Sequence, residues 1–317
     1  MINSHLLYHL SYSGIAIKIS HSDDRNQPTR YRVPSESNSI VIFVRYFLYM
    51  QAKRNGTQRQ TALVTGGSGG IGLELAKNLA RAGFDLVLVA RKRDTLEAAA
   101  GQLEGKFGIK AHVFAADLRL QDAPQAISEF LRNENIDIDV LVNNAGFGLG
   151  GEFADTSIQR ELDMIQVNIA ALTHLTKLFI PPMIKRKSGR VLNVASTAAF
   201  QPGPLMAVYY ATKAYVLSFS EALSEELRNT GVTVTALCPG PTQTDFAEAA
   251  QMTNSRLFRT FGAADAADVA KYGFDAMMHG KRLAIPGFTN KVIAQANRFA
   301  PRTLTTKISR ILQESRN

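Results

Sequence analysis

Two side chains in the middle of the chain have the types and the spacing needed to move a proton. Tyr209 and Lys213 stand four residues apart in YYATK (209–213), so a helix would place both on one face. A free tyrosine has a pKa of about 10, which makes it a poor base near neutral pH. A neighbouring ammonium group favours the phenolate. We therefore expect Lys213 to lower the pKa of Tyr209, which would then act as a general acid or base.

Two polar residues upstream could assist this chemistry. Ser196 ends an apolar run, where its hydroxyl could hydrogen-bond a substrate oxygen that gains or loses charge, or could simply cap a turn. Asn168 lies inside a long helical pattern although asparagine is a mediocre helix former. This inconsistency indicates a role through backbone groups and water, with a core asparagine as the alternative.

A glycine-rich segment, TGGSGGIG (65–72), directly follows the apolar run Ala62-Leu63-Val64. A strand, a glycine turn and then a helix present bare backbone N–H groups to a pyrophosphate. Glycine permits the tight turn and the close approach of the backbone to the phosphates. The segment predicts a dinucleotide site, although a glycine cluster alone also occurs in ordinary loops.

The segment Ala90-Arg91-Lys92-Arg93 addresses the ribose of such a dinucleotide. Folds that prefer NAD usually place an acid about 20 residues past the glycine turn. Here Arg91 could instead grip a 2′-phosphate, so we expect NADP(H) to be preferred over NAD(H). The alternative is a solvated basic loop. Asp117, after the third strand, could accept from the adenine amino group or serve as a cap.

Strand-like and helical patterns alternate from residue 60, and the strands are continuous apolar runs, as in buried parallel strands. They predict an α/β fold with a single doubly wound Rossmann-type domain, a seven-stranded parallel sheet and helices on both faces. The predicted strands are Thr61–Thr65, Asp85–Ala90, Ala111–Ala115, Val140–Asn143, Arg190–Ala195, Val232–Leu237 and Arg282–Ile285. The predicted helices are Gly70–Arg81, Asp94–Gln102, Gln121–Asn133, Ile158–Lys187, Tyr209–Asn229 and Ala264–His279.

Composition narrows the class of protein. The single cysteine, Cys238, excludes an intramolecular disulfide framework, suits a reducing compartment and lies in an apolar run that predicts burial.

The net charge of +9 belongs to the two ends of the chain and not to its body. A nucleic-acid-binding domain would carry its own basic face, so we expect no nucleic-acid partner. Weak contact of the basic ends with an anionic membrane is possible, with solvated charge as the plainer alternative.

Both ends differ from the body. Residues 1–57 lack sustained periodicity and their apolar block of 40–50 is too short to span a bilayer, which takes about 20 residues. We interpret 1–57 as an extension that is poorly ordered or follows a mis-assigned start, with translation beginning at Met50; an interfacial anchor is the alternative. The catalytic domain would cover 58–287. Residues 288–317 form a basic amphipathic segment that could pack on its own domain, a second subunit or lipid.

Taken together, these motifs resemble the short-chain dehydrogenase/reductase family over roughly residues 60–290. The resemblance rests on the glycine turn, Asp117-Leu118, NNAG (143–146), Asn168, Ser196, YYATK and PGPTQT (239–244). Within the family, the ARKR segment and the basic C-terminus look most like bacterial NADP-dependent ketoacyl and steroid reductases. The resemblance implies a catalytic tetrad of Asn168, Ser196, Tyr209 and Lys213. The implied cofactor residues are Thr65, Gly66, Ser68, Gly70, Ile71, Gly72, Arg91, Asp117, Leu118, Asn144, Ala145, Gly146, Tyr209, Lys213, Pro239, Gly240, Thr242 and Thr244.

The resemblance also implies an oxidoreductase that transfers hydride between NADP(H) and a small carbonyl or alcohol substrate, without a metal. Apolar residues beside the motifs predict an apolar ketone or aldehyde, and Phe246–Phe261 could form a lid. These apolar residues are Phe147, Leu149, Phe200, Pro202, Leu205 and Met206, several of which could instead pack the core. We expect a cytoplasmic homodimer or homotetramer. A non-catalytic NADP(H) sensor or scaffold is the alternative function.

Overall fold

The computed structural model describes residues 8–12, 15–19, 59–244, 246, 250, 262–297 and 299–314. The chain divides into two compact units, Met1–Thr57 and Gln58–Asn317. In the first unit, strands β1 (Tyr8–Tyr12) and β2 (Ile15–Ile19) pair antiparallel. Met50, the predicted start, lies outside the described residues.

The second unit is built around a parallel sheet of seven strands, as predicted. The strands are β3 (Thr61–Thr65), β4 (Asp85–Ala90), β5 (Ala111–Ala115), β6 (Val140–Asn143), β7 (Gly189–Val194), β8 (Val232–Leu237) and β9 (Leu283–Ala284). Their order across the sheet is β5-β4-β3-β6-β7-β8-β9. The strand order reverses between β3 and β6, which makes that position the switch point where such sheets bind ligands. Every residue of β3 and β6 is buried, which explains their uninterrupted apolar character.

Helices cover both faces of this sheet. They are α1 (Gly70–Arg81), α2 (Arg93–Phe107), α3 (Ala123–Asn133), α4 (Ile158–Ile165), α5 (Leu172–Lys185), α6 (Ala207–Glu226), α7 (Ala266–Met278), α8 (Phe288–Ala296) and α9 (Arg302–Gln313). On one face, side chains of α3 and α5 such as Ile127 and Leu175 pack on Leu63 and Leu141 of the sheet. On the other face, α1 packs against α7. Cys238 is buried after β8, as predicted.

The predicted helix Ile158–Lys187 differs most from the structure. A π-helical turn, Gln166–Ala171, separates α4 from α5, and α5 ends at Lys185. Single π turns inside α-helices are frequent at functional sites, and Asn168 lies in the middle of this one. The run Ile158–Lys185 is long and apolar enough, by length and composition alone, to cross a membrane. The same run contributes Val167, Leu175 and Met183 to the core beside the sheet. Its length and apolar composition are therefore no argument for a membrane span.

Two smaller differences have local causes. Helix α2 continues beyond Gln102 to Phe107 and ends where Gly108 adopts a left-handed conformation with φ of 64°. The amphipathic pattern at the C-terminus forms two helices, α8 and α9, because Pro301 cannot continue a preceding helix and instead starts the next one.

Candidate active site

A cleft of about 930 Å³ lies at the carboxyl ends of the strands. It is lined by residues that follow the strands β3 to β8, among them Gly66, Arg91, Asn144 and Ser196, as a doubly wound sheet requires. All but three of the predicted site residues line it. The exceptions are Thr65, Gly72 and Asn168, which support the walls from behind, as described below.

The glycine turn is shaped by close backbone contacts. Gly66 has φ of +65°, a conformation that glycine adopts readily. A Cβ on Gly72 would lie 2.2 Å from the carbonyl oxygen of Gly66 and 2.4 Å from Nδ2 of Asn144. A Cβ on Gly69, in contrast, would meet nothing within 4 Å. Gly72 therefore lets helix α1 begin directly against the turn, while Gly69 is free of such a constraint.

The NNAG segment fastens the end of β6 to the glycine turn. The hydroxyl Oγ1 of Thr65 accepts hydrogen bonds from the backbone N–H groups of Asn144 at 3.0 Å and Ala145 at 3.1 Å. Nδ2 of Asn144 donates to the carbonyl oxygen of Thr65 at 2.9 Å. Thr65 and Asn144 thus hold the two loops of the cleft floor in one geometry.

The wall that follows β4 and β5 carries several cations. Arg91 and Lys92 line the cleft after β4, where a dinucleotide's ribose would lie in such a fold. Arg119 and Arg160 line the same cleft, and the sequence analysis missed both. The only available signal was that Arg119 stands two residues after the singled-out Asp117. The cationic side chains suit an anionic group such as a phosphate.

Asp117 is paired with Arg119. Nε of Arg119 donates to both carboxylate oxygens, at 3.0 and 2.9 Å, and the backbone N–H of Arg119 donates to Oδ1 at 3.0 Å. This hydrogen bonding lowers the pKa of Asp117 below its ordinary value. The carboxylate is therefore ionised at neutral pH and aligned by the guanidinium, with its residue in the lining of the cleft.

Tyr209 and Lys213 both face the cleft from helix α6. Nζ of Lys213 lies 5.8 Å from the centroid of the Tyr209 ring and donates to the carbonyl oxygen of Val194 at 2.8 Å. Both residues are buried. The predicted spacing on one face is therefore present, and the lysine ammonium is tied to the end of β7.

Electrostatics at this pair differs from our expectation that Lys213 lowers the pKa of Tyr209. Burial raises the pKa of Tyr209 well above its ordinary value, and a hydrogen bond with Ser196 offsets part of this rise. Burial also lowers the pKa of Lys213, to about 8. Since both shifts come from the removal of water around a charge, desolvation dominates the pKa of each group in this structure.

Ser196 caps a turn, one of the two roles that its position suggested, and its hydroxyl also lies beside Tyr209. Its Oγ accepts from the backbone N–H of Ala198 at 3.1 Å and caps the short 3₁₀ helix Thr197–Phe200. The same hydroxyl is the hydrogen-bond partner of Tyr209 and makes a long contact of 3.5 Å with the carbonyl oxygen of Pro239. The cap fixes the position of a hydroxyl that lies beside the phenol.

Asn168 acts through the loop after β6. Its carboxamide accepts from the backbone N–H of Phe147 at 3.2 Å and donates to the Phe147 carbonyl at 3.0 Å. It also donates to Oγ1 of Thr212 at 3.0 Å. A Cβ on Gly146 would approach Oδ1 of Asn168 to 3.0 Å. The buried Asn168 side chain therefore ties the loop to helix α6 at Thr212, the residue directly before Lys213.

The substrate end of the cleft is only partly as predicted. Phe147 and Met206 line it, together with Phe246, whose ring centroid lies 5.3 Å from that of Tyr209. Leu149 is instead buried in the adjacent core cluster. Of the predicted lid Phe246–Phe261, only residues 246 and 250 are described. Outside the lining lie Phe200, Pro202 and Leu205.

Helix α9 supplies a residue that the sequence analysis missed. Gln313 is buried, lines the cleft and donates from Nε2 to the hydroxyl of Tyr210. Gln313 lies 103 residues from Tyr210 in the chain, so no local pattern connects the two. Among the residues that the structure describes, no group of three or more His, Cys, Asp or Glu could hold a metal ion.

The parallel sheet, the glycine turn and the Ser-Tyr-Lys arrangement together define a dinucleotide-dependent oxidoreductase. The family model for short chain dehydrogenases matches residues 60–255, and the chain belongs to this family.

The chain is also similar to individual proteins and solved structures. A very-long-chain 3-oxoacyl-CoA reductase from Coprinopsis cinerea is 35% identical over 208 residues, which cover 64% of this chain and 61% of that protein. The chain thus spans about three fifths of that relative's length. A short-chain dehydrogenase from Sphingobium yanoikuyae in complex with NADPH has a TM-score of 0.69 at 30% identity, with 77% of this chain and 94% of that one covered. L-Sorbose reductase from Gluconobacter frateurii, complexed with NADPH and L-sorbose, has a TM-score of 0.64 at 26% identity, covering 73% and 95%.

Proposed function

We propose that the protein reduces the carbonyl group of an apolar ketone or aldehyde with NADPH, and that Tyr209 donates the proton. The observation that carries this proposal is the convergence of Tyr209, Ser196 and Lys213 with the glycine turn on one cleft. The bare backbone around Gly66 and Gly72 and the cationic wall at Arg91 fit a phosphorylated dinucleotide. When bound, this cofactor supplies hydride from its nicotinamide ring.

In the proposed mechanism, Ser196 donates a hydrogen bond to the substrate oxygen and holds it beside Tyr209. Tyr209 then transfers its phenolic proton to that oxygen as the carbonyl is reduced. The raised pKa of Tyr209 keeps the phenol protonated at neutral pH, so a proton is available for transfer to the substrate oxygen. Lys213, held by the Val194 carbonyl, stabilises the phenolate that remains.

Two further residues position this arrangement. The Asn168 carboxamide bonds to Phe147 in the loop and to Thr212 on α6. These bonds fix the distance between the loop and Tyr209, which lies on the same helix. We assign Asn168 a positioning role in the proposed tetrad, because all three of its described contacts are to protein groups.

We infer that NADP(H) is preferred over NAD(H). A 2′-phosphate would find Arg91 and Lys92 after β4, in the lining of the cleft. Arg91 is suited to a forked, charge-assisted hydrogen bond with that phosphate. NADPH in the complexes of the Sphingobium and Gluconobacter enzymes supports this inference.

The substrate class rests on the apolar walls. Phe147, Met206 and Phe246 surround the space beside Tyr209 and favour an acyl-chain-like ketone. The name of the Coprinopsis relative, a very-long-chain 3-oxoacyl-CoA reductase, supports a substrate of this kind.

A screen of NADPH oxidation over ketones and aldehydes of increasing chain length tests the proposed function. We expect turnover that rises with the length of the apolar chain. NADPH binding without turnover of any carbonyl compound would contradict a reductase and favour the non-catalytic sensor or scaffold.

We also propose a homodimer or homotetramer assembled through α4. Ile158, Leu162 and Ile165 follow a spacing of four and three residues and are all exposed, so one apolar face of α4 points outward. Such a face is typical of a subunit interface. The localisation that we propose is cytoplasmic, with weak membrane contact through the basic ends.

A further inference from the structure

Helix α9 buries polar residues against the body of the protein. Thr305, Ser309 and Gln313, spaced by four residues, are all buried. Thr305 donates a hydrogen bond to the carbonyl of Arg302 within the same helix, and Gln313 donates one to Tyr210 on α6. An amphipathic helix in a water-soluble fold normally buries its apolar stripe instead.

The apolar residues of α9 point away from the protein. Leu304, Ile308 and Ile311 are each about half exposed. At 3.6 residues per turn they fall within about 60° of one another and about 130° from the centre of the buried polar face. We call the surface formed by Leu304, Ile308, Ile311 and the neighbouring Lys307 the α9 face. Its polarity is the reverse of what solvation by water alone would favour.

The segment before α9 exposes apolar groups as well. Phe288 on α8 is 81% exposed and Phe299, between the two helices, is 88% exposed. Val292, one helical turn after Phe288, is also exposed. Aromatic side chains this exposed are typical of surfaces that meet a partner or a membrane interface.

Positive charge lies near these apolar residues, although Arg310 of the same helix is paired with Glu152 and Glu314. Lys307 flanks the α9 face, and Arg302 stands at the start of the helix. Neither forms an ion pair with any residue in the part of the chain that the structure describes. Residues 281–317 contain eight Lys and Arg against a single Glu. A basic and apolar surface of this kind is typical of helices that lie in the headgroup region of anionic membranes.

We propose that the α9 face binds an anionic lipid membrane, with α9 parallel to the membrane plane and its apolar residues inserted among the headgroups. A second copy of this chain is disfavoured as the occupant. A symmetric contact would bring two surfaces that both carry net positive charge together, which costs free energy, whereas anionic headgroups neutralise the charge.

The opposite side of the same helix links this surface to the candidate active site. Gln313 lines the cleft and contacts Tyr210, next in the chain to the proposed proton donor Tyr209. Membrane binding through the α9 face would therefore hold the substrate end of the cleft near the bilayer, where an apolar ketone dissolves. The proposal goes beyond the reductase activity and does not depend on it.

Sedimentation of the full chain with lipid vesicles tests the proposal. We expect binding to vesicles of phosphatidylcholine mixed with phosphatidylserine, and much weaker binding to phosphatidylcholine alone. Ile308→Glu should weaken binding to the anionic vesicles about tenfold or more, because it places a carboxylate where an apolar side chain inserts. Lys307→Gln should weaken it about fivefold, the effect expected for one cation near an anionic surface.

Ile184→Glu provides the matched control. Ile184 is an exposed isoleucine on α5, outside the α9 face, so its replacement should leave vesicle binding unchanged. NADPH binding by each variant, followed by the fluorescence of NADPH, verifies that the fold is retained. That readout also separates this proposal from the proposed reductase activity.

Two results would overturn the proposal. The first is that the unmodified chain does not bind anionic vesicles, or that it binds them and Ile308→Glu and Lys307→Gln leave this binding intact. The other is a fall in subunit number caused by Ile308→Glu, measured by analytical ultracentrifugation without lipid, which would assign the α9 face to a second copy of the chain.

Discussion

Lys213 and Tyr209 are both buried, and burial acts on their protons in opposite directions. It disfavours the charged form of each, so the pKa of the lysine falls to about 8 while that of the tyrosine rises. The spacing of the pair could be predicted from the sequence. The burial could not, because it depends on packing of α6 against the end of β7, where Lys213 donates to Val194.

The pKa of Lys213 predicts how the rate depends on pH. Above about 8 the lysine becomes neutral, while Tyr209 stays protonated because its pKa is raised. Since kcat/KM reports ionisations of the free enzyme, we expect kcat/KM for NADPH to fall as the pH rises through about 8. Lys213→Arg, which stays charged, should be slower but lack this limb. A flat profile for the unmodified enzyme between pH 7 and 9 would contradict the assignment.

Arg91 carries the proposed preference for NADP(H). Arg91→Ala removes a forked contact with the 2′-phosphate, so NADPH binding should weaken about tenfold to a hundredfold while NADH binding changes little. Titrations that follow the fluorescence of NADPH and NADH measure the two effects. Arg93→Ala is the control, because Arg93 is exposed, pairs with Glu97 at 3.2 Å and does not line the cleft. Equal binding of NADPH and NADH by the unmodified protein would exclude the preference.

Among the elements, the apolar runs predicted the strands well because the central strands β3 and β6 are buried on both faces. The edge strand β5 is only partly buried along its length. Helix α5 and its π-helical turn are different. The turn at Gln166–Ala171 arises where Asn168 bonds to Phe147, a residue of another loop, and no pattern within the helix encodes that contact. A tertiary contact, and not a local pattern, thus accounts for the π-helical turn that places Asn168 at the site.

The glycine turn gives a test at the level of the element. Gly72→Ala forces a Cβ to within 2.2 Å of a backbone oxygen, so the start of α1 must shift. We expect a loss of about 1–3 kcal/mol in the free energy of unfolding, together with much weaker NADPH binding. Gly69→Ala, in the same turn with open space around it, should leave stability nearly unchanged. Denaturant titration and NADPH binding compare the two, and equal effects would contradict this role of Gly72.

At the scale of the whole molecule, composition located the basic charge at the two ends but could not say which side chains meet. Gln313 reaches Tyr210 across 103 residues, a contact that depends on the break at Pro301 between α8 and α9. The outward apolar faces of α4 and α9 are likewise visible only once the buried sides of these helices are known.

The α4 face gives a test of assembly. Leu162→Glu places a charge between Ile158 and Ile165 on the exposed apolar face of α4, so subunits that meet there should dissociate. Analytical ultracentrifugation should show a smaller species than the unmodified chain. Leu120→Glu, at an exposed leucine outside α4, should not change the mass. An unchanged mass for Leu162→Glu would place the subunit interface elsewhere.

Replacement of the proposed proton donor tests the central claim most directly. Tyr209→Phe retains the ring that packs against Phe246 and removes only the hydroxyl. In a stopped-flow experiment with NADPH and a ketone that the unmodified enzyme reduces, we expect NADPH binding within about twofold of normal and turnover reduced by about 10²–10⁴-fold. Turnover at the normal rate with the same ketone would contradict the assignment of Tyr209 as the proton donor.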